Sequence, residues 1–126
     1  MTTVLIVDDE IDMLMLVRIA IEMANKDLEI AGEATNGTDA LKVWREMNGP
    51  PAPDVVILDN RMPGLSGMEV AQQILAERPE QLIVLYSAYL DANVRREAKE
   101  LGIARCVTKD DVDKLASIVR ELAAAA

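Results

Sequence analysis

Four short runs, "TVLIV" (3–7), "DVVILD" (54–59), "QLIVLYS" (81–87) and "ARCVT" (104–108), are apolar along nearly their whole length rather than at every second position. A strand with one face in water alternates. An unbroken β-branched run suits a strand covered on both faces, as in a parallel sheet. A fifth and weaker run is "LEIAGEA" (28–34). Stretches with helical spacing separate the runs. From Ile11 to Asn25, Met13, Leu16, Val17, Ala20, Ile21 and Ala24 share one face. After the Asn36-Gly37 turn, Ala40, Leu41, Val43, Trp44 and Met47 do the same. Ser66 is placed to cap a third helix that buries Val70, Ile74 and Leu75 and stops before Pro79. Asp91 is placed to cap a fourth with the stripe Val94, Ala98 and Leu101, ended by Gly102. Leu115, Ile118, Val119 and Leu122 mark the last helix.

Five repeats of strand then helix imply right-handed crossovers and an α/β sandwich with helices on both faces. At 126 residues the chain is expected to be one domain, 1–126, with "NGPPAP" (48–53) as an internal loop rather than a linker. Its core has to come from Val, Ile, Leu, Met and Ala, because the aromatics are only Trp44, Tyr86 and Tyr89. One cysteine, Cys106, excludes an internal disulfide and fits a reducing compartment. With no basic n-region and no apolar run of spanning length, a soluble, cytoplasmic protein is expected.

Twenty-two acids against 13 bases give a net charge of −9, which repels phosphate backbones and argues against direct nucleic-acid binding. No histidine is present, so any chemistry runs on carboxylates, hydroxyls and lysine. In open α/β sheets, function gathers at the carboxyl ends of the strands. Strand one there ends in Asp8, Asp9 and Glu10, strand three in Asp59, strand four in Ser87 and strand five in Lys109. Clustered carboxylates repel unless a cation sits among them, and Mg²⁺ is the hard oxygen-liganded cation for such a place. A metal, a lysine and a hydroxyl around one carboxylate suit phosphoryl transfer, with Asp59 as nucleophile forming an acyl phosphate. Alone, "DDE" would be read as helix N-terminal acids favoured by the macrodipole, Ser87 as a satisfied strand-end hydroxyl and Lys109 as a solvated surface residue. It is the set in register that favours the metal-site reading.

"VDDE", "LDNRMPGLSG", "YSA" and "TK" together resemble the receiver domain of two-component response regulators, the CheY-like family. The most specific piece is the D-x-x-M-P-x-x-x-G pattern of Asp59, Met62, Pro63 and Gly67. The resemblance covers essentially the whole chain and implies a doubly wound, flavodoxin-like five-stranded parallel sheet of order 2-1-3-4-5. It further implies that Asp59 takes phosphate from a sensor histidine kinase. Asp9 would ligate Mg²⁺ (or Mn²⁺) directly, Asp8 through water, and the Arg61 backbone carbonyl would complete the protein ligands. By the same resemblance Ser87 and Lys109 hold the phosphoryl group, and Arg61 and Tyr89 tune its lifetime. The output would pass through the face of helix four, strand five and helix five, to a partner or a second copy.

Two departures mark this chain. Asp110 follows the lysine where the family usually has Pro, and Cys106 replaces the aromatic three residues before it. "IAGEATNGTDAL" and "Lys-Asp" are nevertheless similar to the NarL and LuxR-type subfamily. Cys106 itself reads as a small buried hydrophobe. On the first helix, Met15 and Ile19 project opposite the core stripe, among Arg18, Glu22 and Asn25, where kinases dock in the family.

Three other functions compete. A constitutive adaptor that keeps the fold without phosphorylation draws only on Asp110 and Cys106. A D-x-D phosphatase needs an acid where Arg61 stands. A dinucleotide-binding domain needs a G-x-G-x-x-G that is missing after strand one. The chain ends in "ELAAAA", so it is expected to be either a stand-alone regulator or a receiver cut from a longer one.

Overall fold

Val4–Val7, Val55–Leu58 and Ile83–Tyr86 are buried at every position, which marks three strands covered on both faces. In the computed structural model, which describes residues 1–24, 27–47 and 52–126, they are the central strands of one parallel sheet. The elements run β1 (Thr2–Val7), α1 (Ile11–Ala24), β2 (Leu28–Ala34), α2 (Gly37–Glu46), β3 (Val55–Asp59) and α3 (Gly67–Glu77). They continue with β4 (Leu82–Ser87), α4 (Ala92–Leu101), β5 (Arg105–Thr108), a 3₁₀ segment (Lys109–Lys114) and α5 (Leu115–Ala125). The strand order is β2-β1-β3-β4-β5, as the resemblance implied. Asn25 and positions 48–51 of the Pro-rich stretch lie outside the described residues. Among the described residues no helix is long and apolar enough to cross a membrane.

Alternation along each strand divides the core in two. Leu5, Val7, Val56, Leu58, Ile83 and Leu85 face α2, α3 and α4, meeting Leu41, Trp44, Val70, Ile74 and Ala98. Val4, Ile6, Val55, Ile57, Val84 and Tyr86 face α1 and α5, meeting Leu14, Val17, Ile21, Leu115 and Val119. Trp44 is buried because its indole N–H reaches the Gln81 side-chain oxygen at 2.9 Å, and the Gln81 amide in turn donates to the Pro53 and Asp54 carbonyls.

The expected caps are present. The Ser66 hydroxyl accepts from the Glu69 N–H while the Glu69 carboxylate accepts from the Ser66 N–H, a complete capping box. Asp91 accepts from the Val94 N–H, and Gly102 ends α4 in the left-handed region at φ 96°. One expectation is corrected. Leu16 and Ala24 are exposed, and the buried face of α1 is Leu14, Val17 and Ile21. At about 100° per residue the true stripe is rotated roughly 60° from the expected one. The sheet selects the i, i+3, i+7 set of branched side chains, and Leu16 is turned to solvent.

Candidate functional site

Everything aimed at the carboxyl edge is placed by strand pairing. Asp59 is the last residue of β3 and pairs across the ladder with Tyr86, while Ser87 pairs with Thr108, so Lys109 follows directly. Asp8 follows β1 and donates its N–H to the Ala34 carbonyl at 3.1 Å. Leu14 N–H to the Glu10 carbonyl at 2.9 Å then opens α1.

The loop after Asp59 is closed onto the strand end by Asn60. Its N–H donates to the Tyr86 carbonyl at 3.3 Å, its carbonyl accepts from the Gly67 N–H at 2.9 Å, and its side-chain oxygen accepts from the Met68 N–H at 3.0 Å. Met62 anchors the loop in the core, and Gly64 turns it with φ 78°. Gly67 is required by contact rather than by φ: a Cβ there would lie 2.2 Å from the Asp59 carbonyl oxygen.

The side chains that meet are mainly acids. Asp8 and Asp59 are buried, Asp9 is half-buried and Glu10 is exposed. Lys109 Nζ lies 3.4 Å from Asp8 Oδ2, from Asp59 Oδ1 and from Glu10 Oε1. The same Nζ sits 5.3 Å from the Tyr86 ring centroid. Burial first, then the Asp8 charge and the contact with Asp9, raises the Asp59 carboxyl from 3.8 to about 7 against the opposing pull of Lys109. Burial lowers the Lys109 pKa, but Asp59, Asp8 and Glu10 outweigh it and raise the balance. Tyr86 is pushed up by burial and by Asp8, Asp59 and Glu10, so its phenol stays protonated.

A divalent cation fits these residues. Both Asp59 oxygens, Asp8 Oδ2 and Asp9 Oδ1 are buried without a hydrogen-bond partner. One carboxylate oxygen from each of Asp8, Asp9 and Glu10 lies within 4.8 Å of the others. One ammonium does not balance so many carboxylates, and hard oxygen donors of this kind suit Mg²⁺ or Mn²⁺.

The remaining predicted residues fall in two places. The buried Ser87 hydroxyl accepts from the Tyr89 N–H at 3.2 Å, and the Arg61 guanidinium covers the exposed Tyr89 ring at 4.6 Å. That pair joins the β3–α3 loop to the β4–α4 loop across the pocket rim. Cys106 is away from it, half-buried against the α2–α4 side of the core, with burial raising its thiol pKa against Arg95. Met15 and Ile19 are exposed on α1, and Leu16 and Met23 extend their apolar patch. The residue missed from sequence is Tyr86. Its signal was there to find: it is one of only three aromatics and stands immediately before Ser87.

Residues 4–120 match the model of the response regulator receiver domain. The chain belongs to that family. CheY of Thermotoga maritima is 34% identical over 106 residues, covering 84% of this chain and 83% of that protein. A protein-glutamate methylesterase/protein-glutamine glutaminase of Halalkalibacterium halodurans is 33% identical, over 98% of this chain but 36% of its own length. The receiver domain thus spans about a third of that longer relative. Among solved structures, the signal receiver domain of a NarL response regulator from Mycobacterium tuberculosis superposes with a TM-score of 0.86 at 27% identity. That likeness covers 97% of this chain and 95% of that one. The CheY-like fold and the NarL-like flavour expected from sequence are both borne out.

Proposed function

We propose that this domain, residues 1–126, is cytoplasmic, takes a phosphoryl group on Asp59 from a sensor histidine kinase and thereby switches its partner binding. The observation that carries the proposal is a buried carboxylate with neither oxygen hydrogen-bonded, facing Lys109 at the carboxyl edge of the sheet. An Asp59 oxygen attacks phosphorus, the P–O bond forms, and the bond to the donor nitrogen breaks with its electron pair leaving on the imidazole. Lys109, already between Asp59 and Asp8, neutralises charge on a phosphoryl oxygen, and the Ser87 hydroxyl donates to another. Asp9 directly, Asp8 through water, Asp59 and the Arg61 backbone carbonyl would hold Mg²⁺ or Mn²⁺. Bound there, the cation supplies positive charge to the transferring group. The Arg61–Tyr89 pair at the rim limits water access and so sets phosphate lifetime.

Incubation with acetyl phosphate and Mg²⁺ is expected to add the mass of one phosphoryl group, and chelation or Asp59→Asn to prevent it. A wild-type mass unchanged by acetyl phosphate contradicts the proposal.

The exposed side of α1 is the kinase contact in this reading, with Met15 and Ile19 at its centre and Leu16 and Met23 beside them. Arg18→Glu combined with Ile19→Asp is expected to slow transfer from the cognate kinase about tenfold while leaving acetyl phosphate modification unchanged, since a desolvated interface anchor is worth 1 kcal/mol or more. An unchanged transfer rate removes this contact.

On the output side, a change at Ser87 moves the backbone of Tyr89, which is hydrogen-bonded to it, and alters the α4–β5–α5 face, beneath whose α4 side Cys106 packs. That face is where a second copy would dock. The domain's net charge of −9 leaves any nucleic-acid contact to other parts of a longer regulator.

A further inference from the structure

Tyr86 pairs across the ladder with Asp59, yet the transfer step described above gives it no task. Among the described residues five buried side-chain polar atoms lack a hydrogen-bond partner; four are carboxylate oxygens of Asp8, Asp9 and Asp59, and the fifth is the Tyr86 hydroxyl. The side chain is fully buried among the residues facing α1 and α5, including Leu14, Val17 and Leu115. An unpaired buried hydroxyl is unfavourable, and a phenyl ring would fill the space without that cost. Packing is therefore served by the ring and not by the hydroxyl.

The ring also has a polar neighbour. Lys109 Nζ is 5.3 Å from its centroid, within the range at which an ammonium is attracted to an aromatic face. Asp8, Asp59 and Glu10 each attract the Lys109 ammonium from 3.4 Å, but its flexible four-carbon stem can bring it to them along more than one path. The Tyr86 ring narrows that choice, because it is held by the core and by its ladder place opposite Asp59.

We propose that Tyr86 is a positioning residue for the transfer reaction: its ring is the seat that holds the Lys109 ammonium against the oxygen of Asp59. The inference rests on Asp59 being the phosphoryl acceptor, and its test separates the two. In NMR spectra of the unmodified wild-type domain, the Lys109 Hε protons are expected upfield of those of exposed lysines, owing to the ring current. The displacement should persist in Tyr86→Phe and vanish in Tyr86→Leu. With acetyl phosphate and Mg²⁺, Tyr86→Phe should be modified at a rate close to wild type. Tyr86→Leu should be slowed about tenfold, the effect expected from losing a partly desolvated cation–π contact.

Lys109 Hε shifts in the wild type equal to those of exposed lysines overturn the seat, whether or not Asp59 is phosphorylated. So does a Tyr86→Phe domain modified as slowly as Tyr86→Leu, because the hydroxyl and not the ring would then be responsible. A wild-type domain with displaced Lys109 resonances that takes no phosphoryl group supports the seat and refutes the acceptor. Should Tyr86→Leu fail to fold, the wild-type and Tyr86→Phe measurements still decide.

Discussion

Gly67→Ala is expected to destabilise the domain by about 3 kcal/mol or more, the upper range for forcing extra volume into a packed site. The Cβ would fall 2.2 Å from the Asp59 carbonyl oxygen, 2.7 Å from Asn60 Cα and 2.8 Å from the Asp59 carbonyl carbon. All three are backbone atoms, so no rotamer change relieves the overlap. Either the start of α3 lifts, breaking the Gly67 and Met68 N–H bonds to Asn60, or the end of β3 is pushed and Asp59 moves with it. Thermal unfolding should fall by roughly 10 °C, and phosphorylation by acetyl phosphate should slow with it. Gly64→Ala is the comparison. Its φ of 78° strains an alanine, but no atom lies within 4 Å of the new Cβ, so it should cost only about 1 kcal/mol. Equal losses at the two positions, or a Gly67→Ala domain as stable and active as wild type, would show that α3 does not rest on the Asp59 backbone.

Asp59→Asn is expected to raise stability, and only above a particular pH. In chelated buffer the folded protein holds the Asp59 proton up to about 7, whereas an unfolded aspartate releases it near 3.8. Between those values the folded state binds more protons than the unfolded chain, so stability falls as pH rises through the window. Below about 4 both states are protonated and the penalty is absent; above about 7 it is complete. At roughly 1.4 kcal/mol per pH unit, less what Lys109 loses with its partner, the variant should gain about 2–4 kcal/mol at pH 8. It should gain little at pH 4. Saturating Mg²⁺ should narrow the gap, because wild-type carboxylates gain a cation worth about 2.7 kcal/mol at 100 times its dissociation constant. A gain of the same size at pH 4 and pH 8, or none at pH 8, contradicts this account of the pocket.

The strands and the site were the legible parts, for one reason. Buried parallel strands show as continuous apolar runs, and the residue at which each run stops marks the carboxyl edge. Asp8, Asp59, Ser87 and Lys109 were therefore located before any geometry, and strand pairing brought Asp59, Asp8 and Lys109 within contact distance. The first helix was less legible. With Met13, Met15, Leu16, Ile19 and Met23 spread around it, apolar residues cover nearly every side, and only the sheet decides that Leu14 is buried and Leu16 exposed. Tyr86 was hidden in a different way. Within "LIVLYS" it counts as one more strand residue, and its meeting with Lys109 spans the whole α4 crossover, from the end of β4 to the residue just after β5. The 3₁₀ segment Lys109–Lys114 had no signal of its own, since its polar residues suit a loop equally well.

The most direct measurement is chemical trapping of the acyl phosphate. The domain is treated with acetyl phosphate and Mg²⁺, reduced with borohydride, and sequenced by mass spectrometry. An aspartyl phosphate at the proposed position is expected to appear as homoserine at residue 59, dependent on Mg²⁺ and absent from Asp59→Asn. Homoserine at another aspartate, or none in protein shown to be folded, would contradict the assignment of Asp59 as the phosphoryl acceptor.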